Sequence, residues 1–210
     1  MIELASFQED EMKPLKINRH KLDIDFYENL LSPEYSQWLY DYLEKNVTWS
    51  TSITKTRRSN QTYGDAGLVY EIKFGGYAGK PINIVKRKVI SWESLPILIQ
   101  LRDLIGNVTG EKYNFCVIQR YPNGRVGVKP HRDKEMTKGT IISGLSLGSD
   151  RVLTMSPPSF IKSESVNINL TPGSLYVLKS PTNDYWTHCI ETSNNDHPRI
   201  SLTFRNVPKA

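Results

Sequence analysis

Thr140-Ile141-Ile142-Ser143-Gly144-Leu145-Ser146-Leu147, then Gly148-Ser149-Asp150, then Arg151-Val152-Leu153-Thr154-Met155, reads as a strand, a turn and a strand. Similar β-rich runs lie on both sides of it. Residues 114–121 precede it, and residues 166–170, 174–178 and 199–205 follow. Pro122-Asn123-Gly124, Pro157-Pro158 and Thr171-Pro172-Gly173 separate these runs with turn chemistry. Short strands at such spacing indicate a sandwich or barrel, and a double-stranded β-helix (jelly roll) is the simplest form.

Upstream the texture is helical. Ser32-Pro33 supplies an N-cap and a proline at the first helical position. Trp38, Leu39, Tyr42 and Leu43 then recur at helical spacing, so a helix is expected to run to about Asn46. A second helix is expected over residues 94–105, with Ile97, Leu98, Leu101, Leu104 and Ile105 as its apolar stripe and Gly106 as its stop. The expected class is therefore α+β, a jelly-roll core with N-terminal flanking helices. Residues 1–22 are polar and expected to be flexible, leaving 23–210 as one domain.

Composition narrows the possible settings. The chain has 210 residues and a net charge of +5. No apolar run approaches the ~20 residues of a membrane helix. The first residues lack the basic-then-apolar order of a secretory signal. Two cysteines, Cys116 and Cys189, are too few for a disulfide framework. An intracellular protein of nucleus or cytoplasm, monomeric and without a membrane partner, fits these features. The basic balance suits a polyanionic partner, with basic clusters at Lys55-Thr56-Arg57-Arg58 and Lys86-Arg87-Lys88.

The chemistry starts at His131-Arg132-Asp133. In extended chain, residues i and i+2 face the same side, so an imidazole and a carboxylate can converge on one metal ion. His-x-Asp is common by chance, and its weight comes from combination. His188, in Thr182-Asn183-Asp184-Tyr185-Trp186-Thr187-His188, supplies a third ligand. Two histidines and a carboxylate with open positions suit a non-haem Fe(II) oxygenase, although zinc hydrolases use similar donors. The last strand favours iron. In Arg199-Ile200-Ser201-Leu202-Thr203-Phe204-Arg205 the odd positions are polar and the even positions apolar. One face packs, and the other offers two guanidiniums that can grip a dicarboxylate.

These motifs together resemble the AlkB family of Fe(II)- and 2-oxoglutarate-dependent nucleic-acid dealkylases, over residues 60–207. Thr62-Tyr63-Gly64-Asp65-Ala66-Gly67-Leu68 and residues 114–121 look like its DNA-repair branch. The resemblance implies Fe(II) held by His131, Asp133 and His188, with 2-oxoglutarate and O2 as cosubstrates. It implies that Arg199 and Arg205 bind the 2-oxoglutarate carboxylates, Arg199 the distal one, with Tyr121, Gln119, Thr203 and Ser201 adding hydrogen bonds. Gln119 and Ser201 stand where the family usually has asparagine.

For the substrate it implies contacts from Tyr70, Ile72, Phe74, Glu135, Arg132 and Tyr63. The implied activity is oxidative demethylation of N-alkylated bases, of the 1-methyladenine and 3-methylcytosine type, in single- or double-stranded DNA, with formaldehyde released. RNA is a second candidate substrate. The alternatives are the same chemistry on a protein or small molecule, and a non-catalytic nucleic-acid binder. The segment 50–56 has no aromatic residue to wedge into a duplex, so single strands are the expected preference.

Overall fold

In the computed structural model, residues 13–50, 58–75 and 82–210 are described. The basic cluster up to Arg57, the segment 51–57 and residues 1–12 lie outside them, as does the side chain of Phe74.

The chain begins with strands β1 (Leu15–Arg19) and β2 (Leu22–Tyr27), followed by helix α1 (Pro33–Asn46). Strands β3 (Ser59–Gly64), β4 (Val69–Gly75), β5 (Ile82–Lys88) and β6 (Ile90–Ser91) lead through a 3-10 turn to helix α2 (Ile97–Thr109). The core strands are β7 (Phe115–Tyr121), β8 (Val128–His131), β9 (Ile142–Gly148), β10 (Arg151–Ser156), β11 (Val166–Leu170) and β12 (Leu175–Leu178). A single helical turn, α3 (Thr182–Tyr185), precedes β13 (Thr187–Ile190) and β14 (Arg199–Arg205).

Among the described residues the strands form an eight-stranded sheet, β1-β2-β12-β9-β14-β7-β3-β6, a four-stranded sheet, β11-β10-β13-β8, and the β4-β5 hairpin. Two facing sheets with helices outside the larger one are the jelly roll with flanking helices that the strand spacing implies.

Alternation in β14 decides what each layer touches. Ile200, Leu202 and Phe204 face α1 and α2, where they meet Leu39, Leu43, Leu98 and Leu101 in one core. A second core, with Ile24, Ile142, Leu153, Met155 and Leu178, fills the space between the sheets. Arg199, Ser201, Thr203 and Arg205 point into that inter-sheet space. Every residue of β14 is buried: β7 and β9 pair with it on either side, the helices cover one face and the second sheet covers the other.

Both helices form where their patterns place them, with one shift. Ser32 caps α1 by accepting from the Tyr35 backbone N–H. The second helix begins later than expected and continues through Gly106 to end at Gly110, whose φ of 72° is the left-handed conformation that favours glycine. Gly106 is needed for packing instead: a Cβ there would lie 2.8 Å from the Glu111 carbonyl oxygen.

The N-terminal expectation also needs correction. Leu15–Arg19 is a strand, because its register with Phe26 through Leu22 adds it to the large sheet. Polar sequence did not prevent this, since an edge strand needs only one partner.

Candidate metal and cosubstrate site

The two sheets hold a cavity of about 1050 Å³ between them, open to solvent. His131 ends β8, and His188 of the neighbouring β13 pairs with it directly. Asp133 follows β8 by two residues. Donor atoms of His131, Asp133 and His188 lie within 4.8 Å of one another. The Nε2 of His131 is 3.4 Å from Asp133 Oδ1, and that of His188 is 4.0 Å away. His131 stands at the half-exposed rim, while the other two are buried.

The surroundings fix this geometry. The Lys129 carbonyl accepts from Nδ1 of His131 at 2.9 Å, which turns Nε2 toward the triad. Asn183 grips the backbone of Asp133 from both sides: its Oδ1 accepts from the Asp133 N–H at 3.0 Å, and its Nδ2 donates to the Asp133 carbonyl at 2.8 Å. The α3 turn that carries Asn183 is anchored in turn by Thr182, whose hydroxyl bonds the Asp23 backbone.

Electrostatics prepare the donors. Burial works against the charge on Asp133, but Arg205 and the two histidines outweigh it and hold the carboxyl well below its usual range. Burial, with Arg205 and His131 adding to it, pushes His188 down to about 4, so its imidazole is neutral at pH 7. For His131, burial is outweighed by the hydrogen bond and charge of Asp133, and its pKa is raised. Two imidazoles and one carboxylate, with no thiolate and with solvent access, suit Fe(II) with open positions.

Deeper in, Arg199 is fully buried. Its Nε donates to Ser146 Oγ at 2.9 Å, and its guanidinium lies 5.1 Å from the Tyr121 ring centre. Among the described residues neither Nη1 nor Nη2 has a hydrogen-bond partner. A fully buried guanidinium with two open donors is built for an anion that can accept both, and a carboxylate does so. The residues present therefore fit both an iron ion and a dicarboxylate.

The other expected residues divide. Gln119, Tyr121, Ser201 and Thr203 all line the cavity. Gln119 and Tyr121 are bonded to each other, Oε1 accepting from the phenol at 3.0 Å, and Arg58 donates to the same oxygen at 3.2 Å. Arg205 is shared between Asp133, at 2.9 Å, and Glu135, at 2.5 Å. Ile72 and Arg132 reach the cavity wall. Tyr70 and Tyr63 do not. Each is 4% exposed. Tyr70 packs edge-on against Phe115 at 4.7 Å and anchors the hairpin, and Ile72 lies next to it on the same face. Tyr63 belongs to the helix-side core.

Sequence reasoning gave no site role to Asn183, Arg151 and Tyr176, and read Arg58 only as part of a basic cluster. Asn183 stood in the quoted Thr182–His188 run without a role. Arg151 is 2% exposed and donates to three backbone carbonyls, of Asn123, Val126 and Glu191. Only its place at the start of a strand otherwise rich in apolar residues marked it.

A family model described as the 2OG-Fe(II) oxygenase superfamily matches residues 23–205. The human protein named DNA oxidative demethylase ALKBH2 is 31% identical over 188 residues, covering 80% of this chain and 67% of that protein. The human alpha-ketoglutarate-dependent dioxygenase alkB homolog 3 is 26% identical, covering 99% of this chain and 72% of its own. A solved structure titled "The structure of OsALKBH1" shares the fold with a TM-score of 0.58 at 11% identity, covering 87% of this chain and 97% of that one.

Proposed function

The chain belongs to the 2OG-Fe(II) oxygenase superfamily, in its AlkB family, and we propose that it removes methyl groups oxidatively from N-alkylated bases of DNA. As a member it is an Fe(II)- and 2-oxoglutarate-dependent dioxygenase. The observation that carries the reading is a solvent-open cavity lined by the His-Asp-His triad, with the buried guanidinium of Arg199, its two donors open, against the ring of Tyr121 in the cavity wall. The likeness to proteins named as DNA oxidative demethylases supports the nucleic-acid substrate.

In this reading His131, Asp133 and His188 hold the iron. Arg199 receives the distal carboxylate of 2-oxoglutarate, with Tyr121 beneath its guanidinium. When iron, 2-oxoglutarate and O2 are bound, the centre oxidises the N-methyl carbon, giving succinate, CO2, formaldehyde and the restored base. The protein's own work is orientation. Asn183 holds Asp133, Lys129 holds His131, and Arg205 keeps Asp133 ionised. The base must leave its stack to reach the rim. Glu135, Arg132 and Ile72 stand there to meet it, and Lys86, Arg87 and Lys88 on exposed β5 suit phosphates. No helix among the described residues is long and apolar enough to cross a membrane.

The test is formaldehyde release from oligonucleotides carrying 1-methyladenine or 3-methylcytosine, in DNA and RNA forms, beside methylated peptides. Release from DNA that needs both Fe(II) and 2-oxoglutarate is expected. Turnover of peptide without turnover of oligonucleotide would overturn the substrate class.

A further inference from the structure

Tyr176 is a large polar side chain of the cavity that the reading above leaves without a task. It stands in a row that runs Tyr176, Gly144, Thr203 and Val117 across β12, β9, β14 and β7. Same-face residues recur at every second position of a strand. The Thr203 row therefore falls between Arg199 at one end of β14 and Arg205, the ion-pair partner of Asp133, at the other. Tyr176 thus enters the cavity floor between the triad and the open guanidinium.

Gly144 fixes how the phenol lies. A Cβ at Gly144 would sit 2.2 Å from Cζ of Tyr176 and 2.4 Å from its hydroxyl oxygen. So it is the outer end of the ring that crosses β9, pointing toward β14. Any side chain at position 144 would lift the ring off the sheet.

The ring is 5% exposed and lines the cavity. Among the described residues its hydroxyl has no hydrogen-bond partner. Two other buried phenols that neighbour polar side chains are paired: Tyr113 with Thr109 and Ser143, Tyr121 with Gln119. Buried hydroxyls are normally satisfied, so one that opens on a ligand cavity is positioned for the ligand. Burial is the largest influence on Tyr176 and pushes it up to about 12, so it is a neutral donor at pH 7.

We propose that Tyr176 is a specificity residue for the 2-oxo acid: its hydroxyl donates to bound 2-oxoglutarate, and its ring, laid over Gly144, sets the length of diacid that fits between Arg199 and the triad. The proposal rests on the assignment of Arg199 to the distal carboxylate.

The experiment is anaerobic calorimetric titration of the full chain loaded with Mn(II), using 2-oxoglutarate and 2-oxoadipate, which is one methylene longer. Tyr176→Phe should weaken 2-oxoglutarate by roughly tenfold or more, as expected for a lost hydrogen bond to a charged group, with Mn(II) affinity unchanged. Tyr176→Leu should narrow the preference for 2-oxoglutarate over 2-oxoadipate, and Tyr176→Met serves the same purpose if the leucine variant folds poorly. Wild-type affinity in Tyr176→Phe, or an unchanged preference in the shortened variants, overturns the proposal. Arg199→Ala separates the two levels. If it binds 2-oxoglutarate as the wild type does, the site reading falls. If it loses affinity while Tyr176→Phe does not, only the role of Tyr176 falls.

Discussion

Arg199→Ala removes a guanidinium that is 0% exposed and whose two terminal nitrogens have no partner among the described residues. In the proposed assignment those donors meet the distal carboxylate of 2-oxoglutarate, so truncation leaves a buried carboxylate unmatched. Breaking a buried charge pair from one side costs on the order of 3–5 kcal/mol. At ~1.4 kcal/mol per tenfold, the dissociation constant for 2-oxoglutarate should rise by about two to three and a half orders of magnitude. The same number can be read from melting. Ligand at 100 times its Kd stabilises by ~2.7 kcal/mol, which for a domain of this size is about 5–11 °C. At that concentration, a hundredfold weaker site retains only ~0.4 kcal/mol.

Without ligand the sign differs. Among the described residues Arg199 has no acidic partner, so an apolar residue of similar volume, Arg199→Met, should melt no lower than wild type. Lysine should restore binding only in part, since it lacks the planar fork. The assay is a melting and calorimetric titration of Mn(II)-loaded protein with 2-oxoglutarate. An unchanged titration in Arg199→Ala would refute the reasoning and leave Arg205 and Arg58 as the candidate anion residues.

Further outcomes follow from the same geometry. His131→Ala, Asp133→Ala and His188→Ala should each abolish Fe(II)-dependent succinate formation while keeping the far-ultraviolet dichroism of the β core; near wild-type turnover in one variant removes that residue from the triad. Asn183→Ala frees the backbone of Asp133 and should weaken Mn(II) binding by roughly 10–100-fold, with equal affinity counting against the clamp. Burial pushes the Cys116 thiol up, and burial with Glu191 pushes Cys189 up to about 11. Both thiols should therefore stay unlabelled by a thiol reagent at pH 8 until the protein unfolds. With no aromatic residue in segment 50–56, repair of 3-methylcytosine should favour single strands by at least roughly tenfold over matched duplex at the same salt, and equal rates would place a wedge elsewhere.

Much of the fold was legible because its signals are local. Ser32-Pro33 caps a helix wherever it is exposed, and the alternation of β14 records two different neighbours, helices on one face and cavity on the other. The two arginines of that strand were readable for the same reason. A charged residue that alternates with Ile200, Leu202 and Phe204 must share one face with its own kind, and because the helices cover the apolar face, that face turns to the cavity between the sheets. The β4-β5 hairpin, β8 and β13 were harder. Their residues mix charge and apolarity, and His131 and His188 become strand residues only by pairing with each other across the sheet.

What the sequence could not show is the direction of its aromatic residues. Tyr63, Tyr70 and Tyr176 all stand on strands, and nothing in their local spacing says which faces a cavity. Tyr63 is drawn into the helix-side core, and Tyr70 is taken by Phe115, which needs a ring to cover it. Tyr176 reads as one more apolar position of Leu175–Leu178. Its direction is set by Gly144, 32 residues away in the chain and directly opposite in register. A glycine in a central strand usually weakens it. Here the missing side chain is the space into which the phenol folds, and the strand tolerates it because β12 and β14 hold β9 on both sides. The cavity floor is thus specified by a pair of residues, and neither carries a readable signal alone.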